Sequence, residues 1–384
     1  MTIIIFLIVL SILVVIHELG HFFTARIFGV KAIEFGLGFP PRAVGIVKEG
    51  KRWKKVSAND KTEYKRTIWS LNWLPFGGFV KLKGEQEDGM HDKDSLLAKP
   101  IWRRAIIMAG GVCMNWIFAV VLLTIVFIAG MPAALEDVPA GASIKDKSIM
   151  ITAVLPDSPA QAAGLQPGDT ILSVDKQTPQ NEKQVREWIG ARGVTPLSLK
   201  IKRDSTDLEI SATPREIKEL GKTGLGIGLA DVGFVSLSPV KALLQSVVTT
   251  GRLTKAVIYA FGGLFRDLVV THKVSSDVSG PVGIAVLTGQ VARQGIVPLL
   301  QFAAILSINL AVVNFLPIPA LDGGRVFFLA IEKVRRKPMS QKLEMGIHNV
   351  AFLLLIMLIV LVTARDLFRY GGAILGGLKG LVGI

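Results

Sequence analysis

From Ile3 to Ile16 the chain is apolar apart from Ser11, and within the same stretch stand His17, Glu18 and His21, with Leu19, Phe22 and Phe23 continuing the apolar character. A run of this length and composition reads as a membrane span. Ionisable side chains inside one cost about 3 kcal/mol each unless they are paired or coordinated. The fold must therefore bring partners to three such groups. On a helix, His17 and His21 lie one turn apart on the same face, where both imidazoles can bind a tetrahedral zinc ion at about 2.0–2.1 Å. Glu18, beside the first ligand, can reach a water on that zinc and take its proton. Two core histidines and a glutamate matching H-E-x-x-H by chance is the plainer alternative, and the apolar surroundings argue against it.

The whole chain has 384 residues, is 50% hydrophobic and carries a formal net charge of +14, with a mean hydropathy of +0.49. The apolar residues are clumped into runs, as in a polytopic membrane protein that carries polar domains. The Lys and Arg residues form no stripe with interleaved aromatics, which argues against nucleic acid as a partner. They gather beside the apolar runs, as topology signals do. The single Cys113 excludes an internal disulfide framework and reads as a small buried side chain. The first run lacks a basic leader and a small-residue cleavage site, so it is expected to persist as a transmembrane helix rather than act as a signal peptide.

Along the chain, residues 1–30 form the first span with the zinc motif, and 31–104 form a β-rich segment. In that segment Ala43–Val47 and Gly78–Lys83 read as strands of a membrane-associated β-ribbon, Gly36–Pro41 as a Gly/Pro-punctuated loop, and Asp88–Ser95 as a charged loop in which His91 is solvated. The second span, 105–133, holds Gly110 and Gly111, which allow close helix packing, and Asn115, a polar group at lipid depth. Asn115 reads equally as an interhelical hydrogen bond or as a contact near the zinc. From 138 to 232 the composition is that of a soluble α/β domain. It has strands at Ile149–Leu155, Thr170–Val174 and Leu197–Arg203, and a helix at Glu182–Arg192. Residues 234–296 read as amphipathic interfacial helices and linker, on the apolar face of Val240, Leu243, Leu244, Val247 and Val248. A further span there is the alternative, and His272 reads as a surface or interface residue. The third apolar segment, 297–324, ends in Pro317-Ile-Pro319-Ala-Leu-Asp322-Gly-Gly, which breaks any helix. Unwound backbone at membrane depth is tolerated only against protein or a water-lined cavity, so Asp322 is a natural third zinc ligand. A basic cytoplasmic loop (325–347) and a fourth span with a C-terminal tail (348–384) complete the chain. Short-range Lys and Arg excess puts 31–104 and 325–347 on the cytoplasmic side, and hence the soluble domain and both termini across the membrane.

The string Ser158-Pro-Ala-x-x-Ala-Gly164-Leu-x-Pro167-Gly168-Asp169, with its flanking strands, resembles a PDZ domain. Gly224–Leu229 looks like the carboxylate-binding-loop strand of such domains but follows the body, which suggests circular permutation. Peptide binding by strand addition is what that resemblance implies. With His17-Glu-Leu-Gly-His21 in the first span and Asn314-x-x-Pro317-x-Pro319-x-Leu-Asp322-Gly in the third, the chain resembles the site-2 protease family, above all its bacterial RseP-like intramembrane zinc metalloproteases. The resemblance implies zinc held by His17, His21 and Asp322, with Glu18 as catalytic acid and base. It implies that Asn314, Asn115, Pro317 and Pro319 contact substrate, and that the strand near Gly77–Lys83 offers an edge to an unwound substrate. It implies single-span membrane proteins as substrates, such as anti-sigma factors or remnant signal peptides, and a bacterial inner-membrane location with the PDZ-like domain outside the cytoplasm. The family's second-span A-G-P-x-x-N pattern departs here to Ala109-Gly110-Gly111-x-x-x-Asn115, with glycine for proline. One PDZ-like domain is expected where some members have two. Another membrane zinc peptidase type, with a glutamate as third ligand, is the rival reading of the metal site.

Overall fold

Among the described residues, four helices are long and apolar enough to cross a membrane: Thr2–Ile27, Ile101–Ala129, Ile296–Phe315 and Leu343–Phe368. The computed structural model describes residues 2–58, 60, 62–85, 92–135, 138, 141–203, 206–217, 222–271, 280–337 and 339–382; His91 and His272 lie outside them. The chain divides into two units, one made of residues up to Thr124 with those from Ser246 onward, the other of Ile125–Gln245.

In the first unit, α1 (Thr2–Ile27) leads into β1 (Ala32–Glu49), β2 (Arg52–Val56) and β3 (Ile68–Leu82), an antiparallel sheet of order β2-β1-β3. β1 and β3 both bend, so their halves interleave: Val80 pairs with Phe35, Phe35 with Trp69, and Trp69 with Ile46. Residues 78–82 thereby form an outer edge. The expected loop at Gly36–Pro41 is instead part of β1. Register shifts carry the bend, and Gly38, at φ +80°, allows it because a Cβ there would lie 2.2 Å from the Leu74 carbonyl oxygen. Phe39, Leu71, Trp73 and Leu74 are exposed around the bend. Phe22, Ala25, Phe35, Leu82, Ile107 and Met108 form a core joining α1, the sheet and α2 (Ile101–Ala129).

The second unit begins earlier than the sequence suggests. The sequence predicts a second span reaching 133, but α2 ends at Ala129, and Gly130 (φ +89°) turns the chain into β4 (Met131–Ala134). β4 pairs with Val232–Val235, so the sheet runs on past the domain end expected at 232. Between them come β5 (Ser143–Val154), α3 (Pro159–Ala162), β6 (Thr170–Val174), α4 (Glu182–Ala191), β7 (Leu197–Arg203), β8 (Thr206–Ala212), β9 (Arg215–Ile217), β10 (Lys222–Gly224) and β11 (Ile227–Ser236). The main sheet has the order β4-β11-β5-β6-β7-β8. The strand expected over Gly224–Leu229 is split, because β10 ends at Gly224 and β11 starts at Ile227. Ser158 caps α3 by accepting the Gln161 N–H, and Asn181 caps α4 by accepting that of Gln184. Ile151, Val185, Leu197, Leu199, Ile201 and Leu225 fill the core.

The first unit resumes along α5 (Pro239–Thr271), followed by α6 (Pro281–Arg293), α7 (Ile296–Phe315), α8 (Asp322–Arg335) and α9 (Gln341–Val382). Two expectations need correction. The linker before the third span contains α6, which packs on α1 and α9; its Pro281 occupies a first-turn position where a missing N–H costs nothing. The expected loop at 325–347 begins as α8, which buries Phe328 and Leu329 and carries Lys333 and Arg335 in its last turn, where cations suit the helix dipole.

One buried charge holds the second unit together at the end of its α3 turn. Asp169 is 1% exposed, and it accepts hydrogen bonds from Arg203 Nε and Nη2 at 2.7 and 2.8 Å and from the Gln166 N–H at 2.8 Å. Burial pushes its carboxyl up, but the Arg203 guanidinium and the Gln166 amide outweigh burial and hold it below the usual value. A carboxylate with a depressed folded-state pKa stabilises above its unfolded pKa, about 3.9, and loses that contribution as pH falls through the folded value. Arg203→Leu leaves the buried carboxylate without its cation and should destabilise this unit by about 3 kcal/mol at pH 7. The penalty should shrink below about pH 4, as read from hydrogen exchange of the second-unit amides in the detergent-solubilised chain.

Candidate metal centre and active site

α1 places His17 and His21 on one face, and the chain break after α7 returns Asp322, the first residue of α8, to meet them. Asp322 Oδ2 lies 2.9 Å from His17 Nε2 and 3.2 Å from His21 Nε2, and the two Nε2 atoms are 3.3 Å apart. Atoms about 2.0–2.1 Å from a tetrahedral zinc ion lie roughly 3.3 Å from one another, so this triangle has the size of a ligand set. Gly111 borders it: a Cβ there would lie 2.4 Å from His21 Nε2 and 2.7 Å from His17 Nε2. α2 runs unbroken through this point, with a glycine against the imidazoles. Among the described residues no other group of three His, Cys, Asp or Glu converges in this way.

The histidines are oriented from behind. His21 Nδ1 is 2.8 Å from the Ile107 carbonyl oxygen of α2. A carbonyl only accepts, so Nδ1 carries the proton and, in the neutral ring, Nε2 presents a lone pair to the triangle. Three such atoms facing one another are held together by a shared metal ion or by a proton between an imidazole and the Asp322 carboxylate. The Asn115 carboxamide, fully buried, lies 3.3 Å from His17 Nδ1 through its nitrogen, while its oxygen is buried with no hydrogen-bond partner among the described residues. A half-turn of the amide would give His17 the acceptor that Ile107 gives His21. Ser307 Oγ of α7 donates to the Asn115 backbone oxygen at 2.8 Å, fixing that turn of α2.

Close helix approach makes this possible. A Cβ at Gly20 would lie 2.1 Å from the Gly110 carbonyl oxygen, and one at Gly110 2.7 Å from the Gly20 oxygen, so α1 and α2 touch backbone to backbone. At the break, Gly323 and Gly324 serve likewise: a Cβ on either would lie 2.3 Å from a carbonyl oxygen of the segment Phe315–Ile318.

Glu18 faces the sheet. Its Oε2 accepts the Val80 N–H at 3.0 Å, and Ser11, two turns earlier on the same face of α1, accepts the Gly77 N–H through Oγ at 3.1 Å. Both donors belong to the outward side of β3, so the carboxylate sits on the strand edge. Asn314 is half-buried in the last turn of α7, Pro317 is exposed and Pro319 half-buried in the break. They lie along the segment leading to Asp322, whereas Asn115 joins the histidines. The sequence assigns no role to Ser11 or to His348, whose Nδ1 accepts the Ala320 N–H in the break at 2.7 Å. A polar residue in an apolar run was the available signal for Ser11 and His348.

A histidine pair one turn apart, a carboxylate and an adjacent glutamate, set among membrane-spanning helices, define a membrane-embedded metallopeptidase. Residues 5–358 match peptidase family M50, and the chain belongs to that family, the site-2 proteases; it is a zinc metalloprotease. A Clostridium perfringens protein named as a candidate zinc metalloprotease is 34% identical over 368 residues, covering 96% of this chain and 98% of that one. The regulator of sigma-W protease RasP of Bacillus subtilis is 29% identical over 457 residues, covering 96% and 98%. Among solved structures, the PDZ domain of the SdrC-like protein from Listeria innocua matches with 26% identity and a TM-score of 0.20, over 21% of this chain and 92% of that one.

The contact at Gly20 gives a test. Gly20→Val should separate α1 from α2 and lower bound zinc to well below one per chain, measured by metal analysis of the purified protein; full zinc content would show that the approach is not required.

Proposed function

We propose that this protease hydrolyses a peptide bond in the transmembrane segment of single-span membrane proteins, with zinc held by His17, His21 and Asp322 and with Glu18 as acid and base. The observation that carries the reading is the position of Glu18, between the ligand triangle and the outward edge of β3. A helical substrate hides its carbonyls in its own hydrogen bonds, and unwinding at membrane depth leaves groups that need partners. The outer edge at 78–82 lies beside the carboxylate, and a substrate strand would pair there in exchange for the bond that Val80 now makes to Glu18.

Zinc, when bound, polarises the scissile carbonyl and lowers the pKa of water at the site to about 7. Glu18 takes the proton of the attacking water, through the oxygen not engaged by Val80 or after Val80 turns to the substrate. It then gives that proton to the amine nitrogen as the C–N bond breaks. Asn314, Pro317 and Pro319, on the segment leading to Asp322, contact the substrate backbone. The exposed apolar side chains around the sheet's bend suit a membrane-associated ribbon. The second unit acts as a circularly permuted PDZ-like module that binds peptide segments of the substrate on the extracytoplasmic side of a bacterial inner membrane. The name of the Bacillus relative, a regulator of sigma-W, supports anti-sigma factors as one substrate class, with remnant signal peptides as another.

Cleavage of a tagged single-span substrate in detergent tests this. Glu18→Gln should keep zinc and lose about 10²–10⁴-fold in rate, while Asp322→Ala should lose zinc itself. Cleavage by Glu18→Gln at the wild-type rate would refute the role of Glu18, and full zinc in Asp322→Ala would refute that ligand. Asn115 makes a separate prediction. Asn115→Leu should weaken zinc binding about 10- to 100-fold, whereas Asn115→Asp, which keeps an acceptor for His17 Nδ1, should bind it at least as tightly as Asn115 does.

A further inference from the structure

The geometry points to His348, on the fourth spanning helix, as a positioning residue that holds the Asp322 loop in its ligating conformation. This rests on the reading of Asp322 as the third zinc ligand. Ala320, two residues before Asp322, has φ +78°, a left-handed conformation that residues with a Cβ seldom adopt. Something outside the residue must hold it there. The Ala320 N–H donates to His348 Nδ1 at 2.7 Å. That bond fixes the peptide plane between Pro319 and Ala320, and hence the direction in which the chain turns back toward α1. Two backbone bonds within the loop are internal to it: the Leu321 N–H donates to the Ile318 oxygen at 3.2 Å, and the Gly324 N–H to the Leu321 oxygen at 3.1 Å. His348 brings a constraint from a different helix.

The imidazole is itself held. Phe328 of α8 packs edge-on against it, with ring centroids 5.4 Å apart at 85°. Because Nδ1 accepts, the proton of the neutral ring sits on Nε2; Glu344 Oε1, one turn earlier on α9, is 3.9 Å from that nitrogen, beyond hydrogen-bond reach, so the Phe328 contact is what orients the ring. The ring thus joins α9, the side of α8 and the break in a single contact. A supporting residue of this kind acts on the metal by fixing where the ligand oxygen stands, and losing such supports commonly costs 10- to 100-fold in metal affinity.

The test is zinc affinity of the full-length chain in detergent, measured by chelator competition, so that activity is not the readout. His348→Leu removes the acceptor and should raise the zinc dissociation constant about 10- to 100-fold. His348→Asn carries a carboxamide oxygen that can stand where Nδ1 stood, and should recover most of that loss. Ala320→Gly, which is free to adopt positive φ, should recover part of the affinity when combined with His348→Leu. Equal losses for His348→Leu and His348→Asn would overturn the proposal, since ring packing on Phe328 rather than the acceptor would then be what matters. Wild-type affinity in His348→Leu, with Asp322→Ala losing zinc, would overturn it while leaving the ligand assignment intact. Retention of zinc by Asp322→Ala would overturn the ligand assignment and this inference together.

Discussion

The backbone contact of α1 with α2 at Gly20 and Gly110 is the constraint on which the rest of the membrane unit depends. It brings the Ile107 carbonyl within reach of His21 Nδ1 and the Asn115 carboxamide within reach of His17. With a side chain between the helices, both imidazoles would lose their rear partners and with them the orientation that turns each Nε2 to a common point. The same closeness puts the Gly111 backbone beside those atoms. Small residues here act as spacers of length zero, and the polar groups act only because the spacing is correct.

A second constraint follows from placing irregular chain near membrane depth. Each backbone group freed from a helix must find a partner in protein. In the break after α7, the Ile318 N–H turns to the Leu316 oxygen at 2.7 Å and the Ala320 N–H to His348. Along the edge of β3, Gly77 and Val80 donate to Ser11 and Glu18 of α1. The side chains that satisfy these groups are the few polar residues of otherwise apolar helices. Catalytic and structural roles overlap there: Glu18 is at once the proposed base and an acceptor for the strand.

The spacing of His17 and His21 made the metal face legible, because helical geometry is regular in a long apolar run. Asp322 was legible because Pro317, Pro319 and the glycine pair announce the break. The course of the chain through Gly36–Pro41 was not, since Gly and Pro at strand bends carry the same signature as a loop. α8 was hidden by its basic last turn, whose charges mark topology and equally favour a helix C-terminus. β4 was hidden because four residues give no period and its partner strand lies about a hundred residues away in sequence. His348 stood in plain view in the fourth span, yet nothing local to it predicts that its partner is the Ala320 amide; only the fold brings the two together.

The two units of this chain obey opposite packing rules, and that changes how substitutions should be read. In the Ile125–Gln245 unit the buried side chains are Ile, Leu and Val around Leu199 and Ile201, and removal from water drives their association. In the other unit Ile3, Ile8, Leu353 and Val360 are exposed, while Asn115, Ser246, Thr250, Thr288 and Ser307 are fully buried. Lipid is as apolar as leucine, so no hydrophobic gain draws those helices together. Close packing and hydrogen bonds such as Ser307 to the Asn115 oxygen must supply the attraction. A leucine in place of a buried serine, mild by the measure of hydrophobicity, is therefore the severe change in the membrane unit, because it removes the hydrogen bond and the close approach at once.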